Sequence, residues 1–74
     1  MINMANMTTR RTDREVLTII HEAVSKDEVV SIHAIASQID CHPLTVIRSV
    51  ARLESLERLE VDRTKKPNRY RVNA

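Results

Sequence analysis

The chain contains no glycine in its 74 residues. Glycine adopts left-handed backbone conformations at the lowest cost, so a chain without it must make its turns with Asn, Asp and Pro. A many-stranded sheet needs many tight turns, whereas helices joined by short connections need few. The missing glycine therefore favours a small, mainly helical fold.

The aliphatic residues must supply the core, because Phe and Trp are absent and Tyr70 is the only aromatic residue. A chain of this length forms one small domain and buries about 60 % of the surface of its unfolded state. The single cysteine, Cys41, cannot form an internal disulfide, and no apolar run approaches the ~18 residues of a membrane span. The amino terminus also lacks a signal-peptide core. We expect a cytoplasmic protein that does not contact a membrane.

Three segments carry apolar residues at helical spacing. In the first, Thr12 and Glu15 fit a capping box, and a helix is expected over residues 13–25. Residues 1–11 have no sustained period and are expected to form a disordered, weakly basic arm. The apolar stripe of this first helix contains Val16, Leu17, Ile20 and Val24.

The second and third helices are expected on either side of a turn near Pro43. Ser31 can cap the second helix, which must end near Asp40 because Pro43 disfavours a helical conformation for His42. Pro43 suits the first turn of a third helix, which is expected over residues 43–57. Before the second helix, Val29 and Val30 are expected to be extended. The apolar positions are Ile32, Ile35, Ala36 and Ile39 in the second helix and Val46, Val50 and Leu53 in the third.

Alternating apolar and polar residues flank the loop sequence "TKKPN". Leu59 and Val61 precede the loop, and Tyr70 and Val72 follow it, which predicts an antiparallel hairpin with one face on the core. Asn68 is the loop residue that best tolerates a left-handed backbone. The expected fold is mainly α with a small β-hairpin, in which three helices and a two- or three-stranded antiparallel sheet form one domain over residues 12–74.

The basic residues are concentrated in the second half of the chain. Residues 1–42 contain four basic and six acidic side chains, net −2, and residues 43–74 contain eight basic and four acidic ones, net +4. Such asymmetry indicates a polyanionic partner. On composition alone, a hairpin kept soluble by its charges remains an open alternative. Five of the basic residues, with no acid between them, are Arg63, Lys65, Lys66, Arg69 and Arg71.

A short helix, a three-residue turn and a longer helix make the helix-turn-helix geometry, in which the second of the two helices enters the DNA major groove. Ala36 lies where the two helices cross, Asp40 where the chain turns left-handed, and Cys41 where a small hydrophobic residue is buried in the turn. The segment "TVIRSVARLESLERLEV" and the basic hairpin after it resemble the recognition helix and wing of winged helix-turn-helix transcription regulators of the MarR type. The resemblance covers residues 12–73, and its matching positions are Thr45, Val46, Arg48, Val50, Arg52, Leu53, Glu54 and Leu59.

The chain departs from the MarR pattern at two positions and in one larger feature. Ile47 stands where a small polar residue is common, and Arg58 replaces the glycine that usually ends the helix. A left-handed Arg would be strained by ~1 kcal/mol or more, so the helix is expected to end differently. The dimerisation helices of MarR-type proteins have no counterpart here, and the resemblance implies the DNA-binding module alone.

The exposed side of the third helix, opposite Val46, is expected to carry two arginines and no acid. Arg48 is the best candidate for reading a base, and Arg52 is expected nearer a phosphate or an intramolecular carboxylate. Ser31 and His33, at the start of the second helix, could contact a phosphate. The other predicted DNA contacts are His42, Leu44, Thr45 and Ser49 in the recognition helix, and Arg63, Lys65, Lys66, Asn68, Arg69 and Arg71 in the wing.

We therefore expect sequence-specific binding of double-stranded DNA by a small, nucleoid-associated transcriptional regulator that acts as a homodimer. Residues 43–57 would occupy the major groove, and residues 58–73 would contact the backbone or the minor groove. One alternative is a winged-helix module that recruits a protein partner, which the apolar residues Leu44, Ile47 and Ala51 favour. A second is a DNA-binding accessory protein in replication or partition.

The sequence offers little for catalysis or for metal binding. His21, His33, Cys41 and His42 have no CxxC or HxxxH spacing, and the neighbours Cys41 and His42 are poorly placed to bind one ion. No Ser/His/Asp set has a supporting motif, and a Gly-rich phosphate loop is impossible without glycine. We expect no enzymatic activity, no metal, no cofactor and no small-molecule effector.

Overall fold

The computed structural model describes residues 10–73, in which three helices precede a two-stranded antiparallel sheet. The mainly helical fold with a small hairpin is therefore confirmed. Residues 29 and 30 belong to no strand, so the sheet of the described residues has two strands and not three. Residues 1–9 of the expected arm lie outside the described residues. The elements are α1 (Arg11–Ser25), α2 (Ile32–Gln38), α3 (Pro43–Ser55), β1 (Leu59–Asp62) and β2 (Arg69–Val72).

Helix α1 begins earlier than the sequence predicted. Its N-cap is Arg10, which makes no side-chain capping bond, and the predicted box of Thr12 and Glu15 is wrong because both residues lie inside the helix. Glu15 accepts a hydrogen bond from Arg11 Nε at 3.2 Å, one turn earlier. Asp13, at the third helical position, bonds instead to Ser49 and Arg52 of α3.

Helices α2 and α3 begin as predicted. Ser31 Oγ accepts a hydrogen bond from the Ala34 N–H at 3.1 Å, which satisfies one of the free donors of the first turn of α2. At α3, His42 Nδ1 accepts from the Leu44 N–H at 3.1 Å, and Pro43 is the first helical residue. His42 is therefore the cap of α3.

All three helices end at an acidic residue in the left-handed conformation. The φ angles are 54° at Asp27, 53° at Asp40 and 58° at Glu57, and no other residue between 10 and 73 has a positive φ. Asp40 was predicted to adopt this conformation. For α3 the left-handed residue is Glu57, directly before Arg58, and Asn68 in the hairpin loop does not adopt it.

Each helix end is closed by the hydrogen bonds of a Schellman motif, in which the residue after the left-handed one donates back to the helix. The Glu28 N–H donates to the Ala23 carbonyl at 2.8 Å, and the Cys41 N–H donates to the Ala36 carbonyl at 3.0 Å. At α3 the Arg58 N–H donates to the Leu53 carbonyl at 2.9 Å. Acidic residues thus occupy the three positions where glycine is usual.

The helices and β1 enclose one aliphatic core. The α1 stripe differs from the prediction: Val16 and Ile20 are buried, but Ala23 is buried where Val24 was expected, and Val24 is 43 % exposed. Cys41 is partly buried against the core, close to its predicted role. The core residues are Val16, Ile20, Ala23, Val30, Ile35, Ala36, Val46, Val50, Leu53 and Leu59.

The hairpin follows α3 after a short turn and covers one side of the core. Leu59 pairs with Val72, and Val61 pairs with Tyr70, so the apolar residues of both strands share one face, as the alternation predicted. β1 begins and β2 ends next to the end of α3, and the start of the basic loop of residues 63–68 contacts that helix through Arg63 and Glu54. Within residues 10–73, no helix is long and apolar enough to cross a membrane.

Candidate nucleic-acid interface

Helix α3 has a buried face and an exposed face that differ in charge. Arg48 is exposed and has no ion-pair partner within residues 10–73. In the preceding turn, Leu44 is 45 % exposed and Ile47 is 51 % exposed, whereas Thr45 is half-buried. The exposed face of α3 thus combines one unpaired arginine with two large apolar side chains.

Ser49 does not belong to that exposed face, which corrects the prediction that it contacts DNA. Its side chain is fully buried, and Ser49 Oγ donates a 2.5 Å hydrogen bond to Oδ1 of Asp13 in α1. Ser49 lies three residues after Val46, which places it on the side of α3 that packs against the core. It joins two helices and is not available to a ligand.

Arg52 binds the same buried carboxylate. Its Nε donates to Asp13 Oδ2 at 3.1 Å and its Nη2 to Asp13 Oδ1 at 2.9 Å, which is the two-pronged geometry of a strong arginine–carboxylate pair. Asp13 is fully buried, and the Arg52 side chain is 33 % exposed. Of the two partners that the sequence left open for Arg52, the structure shows the intramolecular carboxylate.

The carboxylate of Asp13 stays ionised because its partners outweigh the effect of burial. Burial alone would raise the pKa of Asp13, but the hydrogen bonds from Arg52 and Ser49, together with the guanidinium charge, hold this pKa below its ordinary value. The same pairing raises the pKa of Arg52. The Asp13–Ser49–Arg52 cluster therefore links α1 and α3 through charged hydrogen bonds.

A second ion pair fastens the hairpin to α3. Arg63 donates from both terminal nitrogens to the carboxylate of Glu54, with Nη1 at 3.0 Å from Oε2. This contact lowers the pKa of Glu54 and raises that of Arg63. Tyr70, which packs on the core from β2, has a pKa raised by burial. Arg63, predicted as a wing contact, thus has a carboxylate partner within the fold.

The other predicted wing residues differ in whether they have a carboxylate partner. Arg71 lies opposite Glu60 across the hairpin, with 3.8 Å between Arg71 Nε and Glu60 Oε2. Lys65, Lys66 and Arg69 are exposed and have no ion-pair partner within residues 10–73. Asn68 is half-buried beside them.

Three acids lie close to these cations: Asp27 and Glu28 line the same surface cavity as Lys65 and Arg69, and Asp62 pairs with Arg69 across the hairpin. Asp62 Oδ1 accepts hydrogen bonds from both the backbone N–H and the hydroxyl of Thr64, and these bonds lower the pKa of Asp62. The carboxylate therefore stabilises the start of the loop. The positive charges of Lys65, Lys66 and Arg69 remain available to an anion outside the chain.

The predicted contacts at the start of α2 are exposed but separate from the cations. Ser31 uses its oxygen as a cap, and His33 is exposed in the first turn of a seven-residue helix. Within the described part of the chain, no group of three His, Cys, Asp or Glu side chains could hold a metal ion. The surface formed by α3 and the hairpin offers cationic and apolar groups.

The burial of Asp13 was not predicted from the sequence. Asp13, Val16, Ile20 and Ala23 follow each other at intervals of three, four and three residues, and all four are buried. That spacing places the carboxylate on the core side of α1, and the spacing of Ser49 from Val46 does the same in α3. The sequence signal for this contact was one polar residue within each of two facing apolar stripes, Asp13 in α1 and Ser49 in α3.

Neither a known protein family, nor a curated protein, nor a solved structure matches the chain significantly. The function must therefore be argued from the chemistry of the surface.

Proposed function

We propose that the chain is a winged helix-turn-helix module that binds double-stranded DNA, in a small transcriptional regulator. Helix α3 would lie in the major groove, and the hairpin loop would contact the flanking phosphates. The order of the helices, the left-handed turn at Asp40 and the hairpin after α3 are compatible with this fold. The proposal implies a cytoplasmic, nucleoid-associated protein without catalytic activity.

The observation that carries the proposal is the division of the cations into paired and unpaired ones. In the second half of the chain, Arg52, Arg63 and Arg71 each have a carboxylate partner. The five other cations of that half have no such partner among residues 10–73, and they lie on the exposed face of α3, just after its end and in the hairpin. They are Arg48, Arg58, Lys65, Lys66 and Arg69, whereas the unpaired cations of the first half are Arg10, Arg14 and Lys26.

Unpaired cations on a helix and on an adjoining loop suit a polyanion whose charges are regularly spaced. Each phosphate that a Lys or Arg neutralises releases condensed counterions, so such binding weakens steeply as salt rises. Arg48 can donate two hydrogen bonds to O6 and N7 of guanine, and the apolar Leu44 can contact a thymine methyl group. The Glu54–Arg63 pair would keep the loop at a fixed position relative to α3.

A single module of this kind reads one half-site. Specific affinity therefore favours two copies on a palindrome, and we propose a homodimer on the DNA. The second candidate function is recruitment of a protein partner, which the half-exposed Leu44 and Ile47 favour. Two large apolar side chains exposed near the start of one helix suit a protein contact.

The deciding experiment is fluorescence anisotropy with random duplex DNA across a salt series from about 50 mM to about 200 mM. The wild type is expected to bind with micromolar affinity that falls steeply with salt. Lys65→Ala/Lys66→Ala is expected to weaken binding and to reduce the slope of log affinity against log salt by about 2, one for each lost phosphate contact. Arg48→Ala is expected to weaken binding as well.

The matched control is Arg14→Ala/Lys26→Ala, which removes two exposed positive charges from the region of α1. It is expected to keep nearly the wild-type slope. An equal loss in both double variants would mean that net charge alone attracts the DNA. Absence of wild-type binding at low salt would overturn the DNA proposal and leave the apolar surface of α3 as a site for a protein partner.

A further inference from the structure

Arg52 has a second hydrogen-bonding edge that the protein does not use. An arginine side chain carries five N–H donors in a planar fork. Asp13 accepts from Nε and from one N–H of Nη2, and no hydrogen bond within residues 10–73 involves Nη1. Because Asp13 is fully buried and Arg52 is one-third exposed, the edge formed by Nη1 and Nη2 lies on the outer side of the pair.

The position of the Arg52 fork is fixed by groups that cannot move freely. The Asp13 carboxylate is fully buried and is itself held by the Ser49 hydroxyl. A long side chain normally loses rotamer freedom when it binds a partner, and prior fixation removes that cost. Arg48, which has no ion-pair partner in the described chain, would still have to be ordered on binding. The two arginines are therefore not equivalent.

The charge of Arg52 is also different from that of Arg48. Asp13 lies within 3.1 Å of the guanidinium and offsets its positive charge, which weakens its attraction for a phosphate. The direction of the free donors is unchanged. A neutral partner with two adjacent acceptors suits such a fork best, and in the major groove O6 and N7 of guanine form that pair.

We propose that Arg52 reads a guanine through its free Nη1 and Nη2 edge, and that Asp13 is the positioning residue which holds this edge in place. The inference rests on the proposed DNA function and assigns to it a specific base contact. Arg52 follows Arg48 by four residues on α3, a separation of about 6 Å along the helix axis. Arg48 and Arg52 would therefore contact different base pairs.

The test begins by selecting the preferred duplex of the wild type from a random library. Each guanine is then replaced in turn by 7-deazaguanine, which lacks the N7 acceptor but leaves the phosphate charge unchanged. At one guanine, the wild type is expected to lose affinity by roughly 5- to 100-fold. Arg52→Lys keeps a cation beside Asp13 but lacks the planar fork, so it is expected to be insensitive to the replacement at that guanine.

Asp13→Asn tests the positioning role without touching the DNA surface. It is expected to lose discrimination at the same guanine, and a purely structural role would not alter a base preference. Arg48→Lys is the matched comparison and is expected to change the preference at a different base pair. Circular dichroism and thermal unfolding establish that each variant is folded, and Arg52→Lys alone decides the outcome if Asp13→Asn does not fold.

Three results would overturn the inference. If Arg52→Lys responds like the wild type at every guanine, the Asp13–Arg52 pair is structural only. If neutral methylphosphonate at one position, and not 7-deazaguanine, abolishes the difference between Arg52→Lys and wild type, Arg52 contacts the backbone. If the wild type binds no duplex, the proposed function fails and this inference fails with it, whereas the first two results leave DNA binding intact.

Discussion

The carboxylate of Asp13 is fully buried in a small domain, and its two partners stabilise it in different ways. Arg52 supplies the compensating charge, and Ser49 supplies a hydrogen bond from the facing helix. A buried ion pair is not by itself a source of stability, because desolvation opposes the attraction. Removing one partner is nevertheless costly, since the other charge remains buried without compensation.

We expect Arg52→Ala to lower the free energy of unfolding by about 3 kcal/mol, because the Asp13 carboxylate then lacks its counter-charge. Ser49→Ala removes one hydrogen bond to a charged group and is expected to cost about 2 kcal/mol. Arg48→Ala, on the exposed face, is the control and is expected to stay within about 0.5 kcal/mol of the wild type. Urea unfolding at pH 7, followed by circular dichroism, measures all three. Equal stability of Arg52→Ala and Arg48→Ala would show that Asp13 is solvated.

At the scale of the elements, the three helix ends share two destabilising features. Asp27, Asp40 and Glu57 are left-handed, a conformation in which a side chain with a Cβ is strained by about 1 kcal/mol or more. A negative charge at a helix C-terminus also opposes the helix dipole. The hydrogen bonds of the Schellman motifs hold the chain in this conformation despite both effects.

Glu57→Gly is expected to raise the free energy of unfolding by about 1 kcal/mol, because glycine removes the strain at this position. Glu57→Ala removes the same charge but keeps the Cβ, so it separates the dipole effect from the strain. We expect the glycine variant to be more stable than the alanine variant in urea unfolding. If alanine stabilised the protein as much as glycine, charge and not backbone strain would limit this helix end.

Local signals in the sequence predicted the elements well, and contacts between elements were predicted less well. Ser31, Asp40 and Pro43 fix their helix ends through short-range geometry, so their roles could be read directly from the sequence. The start of α1 could not be predicted in this way. Thr12 and Glu15 match the local pattern of a capping box, and this pattern competes with the packing of Asp13 in the core. Val29 and Val30 look like a strand, but a strand also needs a partner, and β2 pairs only with β1.

At the candidate interface, too, local features were predicted well and contacts between elements less well. Exposure of Arg48 followed from helical periodicity, whereas composition predicted a basic hairpin but not which of its cations are paired. The pairing of Arg63 with Glu54 joins residues nine positions apart, and that of Arg52 with Asp13 joins residues thirty-nine positions apart. Such pairings depend on how the helices and the hairpin pack, which periodicity does not determine.

At the scale of the whole molecule, three carboxylates link stability to pH. A domain of this size has a small net free energy of folding, of which a few kcal/mol is a large fraction. The hydrogen bonds from Arg63 and from Thr64 lower the pKa values of Glu54 and Asp62, respectively. At Asp13, burial acts in the opposite direction, but Arg52 and Ser49 outweigh it and the pKa is again lowered.

A carboxyl whose pKa is lower in the folded state binds protons more weakly there than in the unfolded chain. Its contribution to stability is therefore fully present above the ordinary carboxyl pKa of about 4, and it is lost as the pH falls through the lower folded value. We expect the urea midpoint of the wild type to be nearly constant between about pH 7 and about pH 5 and to fall steeply below about pH 4.

Asp13→Asn tests the contribution of the buried one of these three carboxylates to the pH dependence of stability. The variant is expected to be less stable than the wild type at neutral pH, because Arg52 loses its counter-charge, but to lose less of its remaining stability as the solution is acidified. Glu22→Gln is the matched control, since Glu22 is exposed in α1 and has no ion-pair partner within residues 10–73. It should follow the wild-type curve. If Asp13→Asn also ran parallel to the wild type down to about pH 3, the acid sensitivity would come from Glu54 and Asp62 and not from the link between α1 and α3.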